Sequence, residues 1–444
     1  MQDFNVILRS IENERGLMGR YERSGELLTR AEAVIPLGSQ TFSKSREIFP
    51  PGISPQFADR GLRGRIWDVD GNEYVDLVGG LAAVSIGYAD PEINAAVTDQ
   101  LTRGVTLSLA TGLEAEVAER IVNLVPCAEM VRFGKNGSDA TSAAIRLARS
   151  VTGRDHVIVC GYHGWHDWYI GTTPRGTGVP TSVSALAHTI PYGDLQALSA
   201  ALDAHPIAAV IMEPMTGVFP AEGYLQAVKD AAHSRGTLLI FDETVTGFRF
   251  AKGGAQEYFG VTPDLSSFGK GMANGFPLSA VTGRSELMIE FERVFFSGTF
   301  GGELLSLTAA RVILDRISKG DVVERISANG QHMSDLTQGA IATTGTDSLL
   351  SLSGHPSWRF LNWNSELGEQ LPLLKVLFMQ EMCRRGVLVI ATHNSMASHD
   401  STDATHVGQA YEGTLDVLGR AVKDGDIARF LDAPVRTQAA TVRQ

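Results

Sequence analysis

From about residue 85 to 310 the chain alternates two apolar patterns. Short runs that are apolar at nearly every position ("MVRFGK", "HVIVCGYHG", "AAVIMEP", "GTLLIFDE", "LSAVTG") are separated by stretches such as "DATSAAIRLARSV" and "GYLQAVKDAAHSRG", where apolar residues recur at helical spacing. A strand that is apolar on both faces needs cover on both, so the pattern predicts a mostly parallel sheet between helical layers. Ahead of this body, Leu17, Leu27, Leu28 and Val34 stand among charges in residues 11–35, which predicts one or two amphipathic helices before the turn "IPLGSQ". "GRIWDVDGNEYVDLVGG" predicts a hairpin turning at Asp70-Gly71, a pair suited to positive φ, and this hairpin is expected to open the larger body. After the long helical pattern "LLSLTAARVILDRISKGDVVERI" the composition changes at "TTGTDS". From there "SWRFLNW", "LPLLKVLFMQEMCRRG", "VLVIA" and "GTLDVLGRAVKDGD" read as a smaller α+β domain.

The fold class expected is therefore α/β. A large domain over 66–320 would be joined by a small domain over 321–444, with an N-terminal segment, 1–65, packing with the small one. The length of 444 residues agrees with two domains at roughly 100–200 residues each. Hydrophobic residues at 43% and charged residues at 20% indicate a globular chain, not a disordered one. A net charge of −12 argues against nucleic acid as a partner, since phosphate backbones are bound by clustered Lys and Arg. Three cysteines, Cys127, Cys160 and Cys383, do not form a disulfide framework and fit a reducing cytoplasm. The N-terminal stretch mixes charge into its apolar residues, and no apolar run approaches the roughly 20 residues that span a bilayer. A soluble cytoplasmic protein with no membrane partner is expected.

Ligands of open α/β sheets bind at the C-terminal ends of strands, and those positions here are chemically rich. "GKNGSDA" turns straight into a helix, where Gly137 and Ser138 offer a phosphate seat; capping by Asn136 or Ser138 is the simpler alternative. Asp242 follows four apolar strand residues, so a charge there requires a cationic partner, either a protein side chain or a bound cationic ring. "GYHGWHDW" offers Tyr162, His163, Trp165 and His166 for stacking on a flat ligand or for packing; zinc is disfavoured because no second paired ligand set appears. Glu213 ends another strand. Lys270, between two glycines in "DLSSFGKGMANGFPLSAVTG", is by itself an ordinary surface charge, yet a strand-end amine of depressed pKa can form a Schiff base with an aldehyde. Phosphate seat, aromatic, carboxylate and lysine together describe a site for pyridoxal phosphate.

The chain resembles the class III pyridoxal-phosphate aminotransferases, in the branch that contains glutamate-1-semialdehyde aminomutase. "IPLGSQTFSK", "WDVDGNEYVD", "GSDA", "YHGWHDW", "EPMTG", "FDETVTGFR", "FGKGMANGFPLSAVTG" and "SGTFGGELLSLTAA" carry the likeness over nearly its whole length. The resemblance implies a fold-type I homodimer with sites at the subunit interface. Lys270 would be the Schiff-base lysine and proton carrier, Asp242 the partner of the pyridine nitrogen, and Tyr162 the stacking residue. Gly137, Ser138, His163, Glu213 and Thr244 would complete the cofactor site, with Thr299 reaching the phosphate from the neighbouring subunit. Ser39, Thr41, Lys44, Trp67, His393 and Asn394 would line the substrate pocket, and no metal is implied.

Three departures from the aminomutase pattern bear on substrate. Lys44 of "SQTFSK" stands where an arginine would grip a carboxylate with a bidentate fork, which lysine cannot form. "ATHNSMASHD" carries no glutamate where the aminomutase has one, and Thr244 replaces a valine. The expected function is transfer of an amino group from a small amino donor to an aldehyde or ketone acceptor. Intramolecular amino transfer is the alternative on the same scaffold, and a phosphosugar or nucleotide binder or a zinc hydrolase at "HGWH" would be non-homologous readings of the same residues.

Overall fold

The computed structural model describes residues 19–433 and divides into two compact units. The first comprises 19–81, 87–89 and 328–433, and the second 82–86 and 90–327. Of the N-terminal helical expectation, Glu22–Glu32 forms a helix, while Leu17 and the rest of 11–18 lie outside the described residues.

The first unit contains the expected hairpin. Strands β1 (Ala58–Leu62), β2 (Arg65–Asp68) and β3 (Glu73–Asp76) form an antiparallel meander, with Ile66 opposite Tyr74. Gly71 has φ +88° at the β2–β3 turn, which the Asp68 carboxylate closes by accepting the N–H groups of Asp70 (3.0 Å) and Asn72 (2.8 Å).

In the second unit seven strands follow in chain order: β4 (Met130–Gly134), β5 (His156–Cys160), β6 (Ala187–Thr189), β7 (Ile207–Met212), β8 (Leu238–Asp242), β9 (Leu265–Phe268) and β10 (Ser279–Gly283). They lie in the order β4-β10-β9-β8-β7-β5-β6, parallel from β9 through β6, with β10 antiparallel to β9 and β4. Alternation splits the strands between two cores. Val157, Val159, Ala209, Ile211 and Ile240 pack with the alanine-rich face of helix Gly137–Thr152. Ile158, Val210, Met212, Leu239 and Phe241 pack with Leu198, Leu202, Leu225 and Val228 of helices Leu195–Ala204 and Tyr224–His233. The mostly parallel, doubly covered sheet read from the apolar runs is thus present.

The first unit is completed by β11 (Leu350–His355), β12 (Trp358–Trp363), β13 (Val387–Leu388) and β14 (Thr392–Asn394). β11, β12 and β14 pair antiparallel, whereas β13 pairs in parallel with β3, Val387 opposite Val75. This pairing corrects the expected boundary at 65/66. The hairpin belongs with the C-terminal strands and not with the larger body, because Val75 and Leu77 are buried in the same core as Leu377, Phe378 and Val387. The chain leaves the first unit at 81/82, returns to it over 87–89, and re-enters it at 327/328, inside helix Val322–Thr344, instead of at 320/321. Among the described residues no helix is long and apolar enough to cross a membrane.

Candidate active site

At the end of β4 the chain turns through Lys135 and Asn136 into helix Gly137–Thr152. Asp139 closes this turn: its carboxylate accepts the N–H groups of Lys135 (3.0 Å) and Asn136 (2.8 Å) in a capping box. Capping by Asn136 and Asp139 leaves Ser138 for another task. Its hydroxyl accepts the Trp165 N–H at 3.2 Å, and a Cβ on Gly164, where φ is +102°, would lie 2.2 Å from that oxygen. A Cβ on Gly137 would meet Thr244 Cγ2 at 2.9 Å. The strand ends of β4, β5 and β8 therefore converge on the first turn of a sixteen-residue helix, whose N–H groups precede its internal ladder and favour an anion.

Asp242 ends β8 and is buried. Its Oδ1 accepts the Thr244 N–H (3.1 Å), the Thr244 hydroxyl (2.5 Å) and the Ser267 hydroxyl (3.0 Å), while Oδ2 faces His163 Nδ1 at 2.9 Å. Burial alone would raise its pKa; the hydrogen bond and charge of His163, then the bonds from Thr244, outweigh burial and hold the carboxyl below its ordinary range. His163 is fixed in turn by its carbonyl, which accepts the Thr141 hydroxyl at 3.0 Å. Among the described residues its buried Nε2 has no partner. The next residue, Glu243, accepts the N–H groups of Ala255 (2.6 Å) and Gln256 (2.9 Å) and the Thr246 hydroxyl (2.7 Å). Burial pushes its pKa up despite those bonds, so the adjacent carboxyls differ in role: Glu243 holds a loop and Asp242 supplies charge.

Lys270 follows β9 in the turn Lys270–Ala273 and is half-buried, with φ +45°. A non-glycine residue in the left-handed region costs roughly 1–2 kcal/mol, and such strain persists where the surroundings dictate it. Here they do. Asn274 Oδ1 accepts the N–H groups of Ser85 and Ile86, both at 3.0 Å, and the Ser85 hydroxyl donates to the Gly271 carbonyl at 3.1 Å.

The loop after β5 is shaped by Glu213, whose Oε2 accepts the Tyr162 N–H at 2.9 Å; a Cβ on Gly161 (φ +107°) would reach that oxygen at 2.7 Å. The Tyr162 ring meets Tyr169 edge-on, with centroids 5.7 Å apart. His163 and His166 go separate ways, to Asp242 and to Ser142 Oγ (2.7 Å) respectively. Burial pushes the Cys160 thiol up to about 12.

Among the expected residues, Gly137, Ser138, His163, Asp242 and Thr244 form one connected cluster, while Glu213 with Tyr162 and Lys270 occupy the same end of the sheet. Thr299 is exposed in the loop before helix Leu304–Lys319. Ser39, Thr41, Lys44, Trp67, His393 and Asn394 belong to the first unit. There the Arg60 guanidinium lies over the Trp67 ring at 3.9 Å, His393 Nε2 bonds the Tyr411 hydroxyl at 2.6 Å, and Asn394 Nδ2 donates to the Val78 carbonyl at 2.9 Å. Reading by strand ends missed Ser267 and Thr141. The signal for Ser267 was present, since a hydroxyl inside the buried strand "LSSF" must find a partner.

This donor set fits pyridoxal phosphate: a helix N-terminus with a hydroxyl for the phosphate, a stabilised carboxylate for a ring N–H, an amine for the aldehyde, and an unpartnered buried imidazole nitrogen. Comparison with known proteins agrees. The family model described as Aminotransferase class-III matches residues 52–340. A 3-aminobutyryl-CoA aminotransferase of Cloacimonas acidaminovorans (strain Evry) is 34% identical over 86% of this chain and 93% of its own. A glutamate-1-semialdehyde 2,1-aminomutase of Symbiobacterium thermophilum is 38% identical over 72% of this chain and 78% of its own. The FumI protein of Sphingopyxis sp. MTA144, solved in its PLP internal aldimine form, superposes with a TM-score of 0.84 at 29% identity, covering 90% of this chain and 97% of that one.

Proposed function

The chain belongs to the class III aminotransferase family, and from that premise we propose that it transfers an amino group between two molecules, with Lys270 as the reacting amine. The observation that carries the site assignment is Asp242, a buried carboxylate kept anionic at a strand end beside a helix N-terminus. When bound, pyridoxal phosphate supplies an aldehyde that condenses with amines and a cationic ring that takes up an electron pair. The first turn at Gly137 and Ser138 would hold its phosphate, Asp242 would accept the ring N–H, and Tyr162 and Thr244 would flank the ring. The Lys270 amine would hold the aldehyde. Its Nζ, when not engaged with the aldehyde, would carry the proton from the substrate's amino-bearing carbon to the carbon that had been the cofactor's aldehyde.

Substrate contacts are assigned by family resemblance to Ser39, Thr41, Lys44, Trp67, His393 and Asn394. Lys44 offers a point charge instead of a fork, and no carboxylate stands between Gly386 and Asp400. Amines whose carboxyl function is removed from the amino carbon, as the name 3-aminobutyryl-CoA describes for one relative, are therefore the donors to test first. A homodimer is also part of the proposal. It is supported by Leu107, Leu109, Phe295 and Phe300, large apolar residues exposed on segments joined by the Leu304 N–H to Val105 carbonyl bond (2.9 Å), a pattern that marks an interface. Sedimentation showing a fully active, cofactor-loaded monomer would overturn it.

Lys270→Ala is expected to abolish the yellow colour of the purified protein and to lower amino transfer by at least about 10²–10⁴-fold. Borohydride reduction should fix the cofactor to the peptide carrying Lys270. Nitrogen-labelled donor should pass its label to an added keto acid or aldehyde; label retained within the donor skeleton would instead establish intramolecular transfer.

A further inference from the structure

Three histidines that take no part in this chemistry meet at the opposite end of the same sheet. His156 is the first residue of β5, His188 lies in β6, and His205 follows helix Leu195–Ala204 just before β7. One ring nitrogen of each can be chosen so that all lie within 4.8 Å of one another, and all three side chains are partly open to solvent. His156 Nδ1 and His188 Nε2 are 2.9 Å apart, and the rings stack with planes within 17° and centroids 4.1–5.2 Å apart.

We infer that His156, His188 and His205 form a binding site for a divalent transition-metal ion, zinc or nickel. Imidazole is a preferred ligand of both, and three imidazoles leave positions for water. The 2.9 Å contact between His156 and His188 is a hydrogen bond in which one ring donates its N–H to the other, so an ion would replace that shared proton. The near-parallel rings would have to turn for their nitrogens to face one ion, a side-chain movement that their partial exposure permits. The site has a structural use. β6 is a three-residue edge strand bonded only to β5, and an ion held by all three residues would clip it and the chain before β7 to the body of the sheet.

The test uses the full-length, untagged, cofactor-loaded protein after treatment with a chelator, titrated with zinc or nickel chloride by calorimetry and by thermal unfolding. The expected result is about one ion per chain, a higher Tm on binding, and affinity at least about tenfold lower in both His188→Ala and His205→Asn. Both variants should transaminate at the unmodified rate, because Lys270 lies beyond the other end of the strands. His205→Asn serves as the second variant should the His188 change weaken the edge strand, since it replaces a residue outside any strand. Absence of a stoichiometric ion, or binding undiminished in His205→Asn, would overturn the inference.

Discussion

Asp242 stays ionised in a dry layer because Thr244, Ser267 and His163 aim donors at both its oxygens. Its position after "LLIF" announced the need for a cationic partner, but not which one. His163 is far away in sequence and became that partner only when the loop after β5 came against the end of β8. Replacing Asp242 by Asn should lower amino transfer by about 10²–10³-fold, the usual cost of removing one preorganised charge. Stability carries a separate signature. A carboxyl with a depressed folded pKa stabilises above its unfolded value of about 3.9, and that contribution is lost as pH falls through the folded value. The Asn variant should therefore be less stable than the unmodified protein in urea at pH 7, with the gap narrowing below about pH 4. A gap independent of pH would show that the carboxylate is not held as described.

At the scale of elements, the site is made by loops meeting one helix end, and glycines mark where they touch. Gly164 and Gly153 separate contact from backbone strain. Both have positive φ, +102° and +65°, but a Cβ at Gly164 would strike Ser138 whereas none lies within 4 Å at Gly153. Gly164→Ala should cost roughly 1–3 kcal/mol and loosen the cofactor by displacing Ser138 from the phosphate seat. Gly153→Ala should cost strain alone. Thermal unfolding and retention of the yellow colour through dialysis measure the two effects; equal retention in the two variants would remove Ser138 from the seat. What Gly164 clears, the Ser138 side chain, was decided by a neighbour on another strand end.

For the whole molecule, the response to acid should be set partly by His393 in β14. Burial foremost, then the charges of Arg359 and His399, push its pKa down to about 3, so the folded state carries it neutral. Its stabilisation is complete above the unfolded value of about 6.5 and is lost as pH falls towards 3. Unfolding free energy should accordingly decline from about pH 6.5 downward, and His393→Gln should flatten that slope; an unchanged slope would assign it to other groups. The pattern of apolar runs by itself determined the parallel sheet, its two helical covers and the strand ends where chemistry sits, because local periodicity dictates which faces must be buried. It could not assign the hairpin Arg65–Asp76 to a unit, since an alternating strand states which face is apolar and not which strand it will pair with. That choice was made by the parallel bonding of β3 to β13. For the same reason only the folded chain brought His163 to Asp242 and gathered His156, His188 and His205: each set is joined by packing between segments that no local pattern relates.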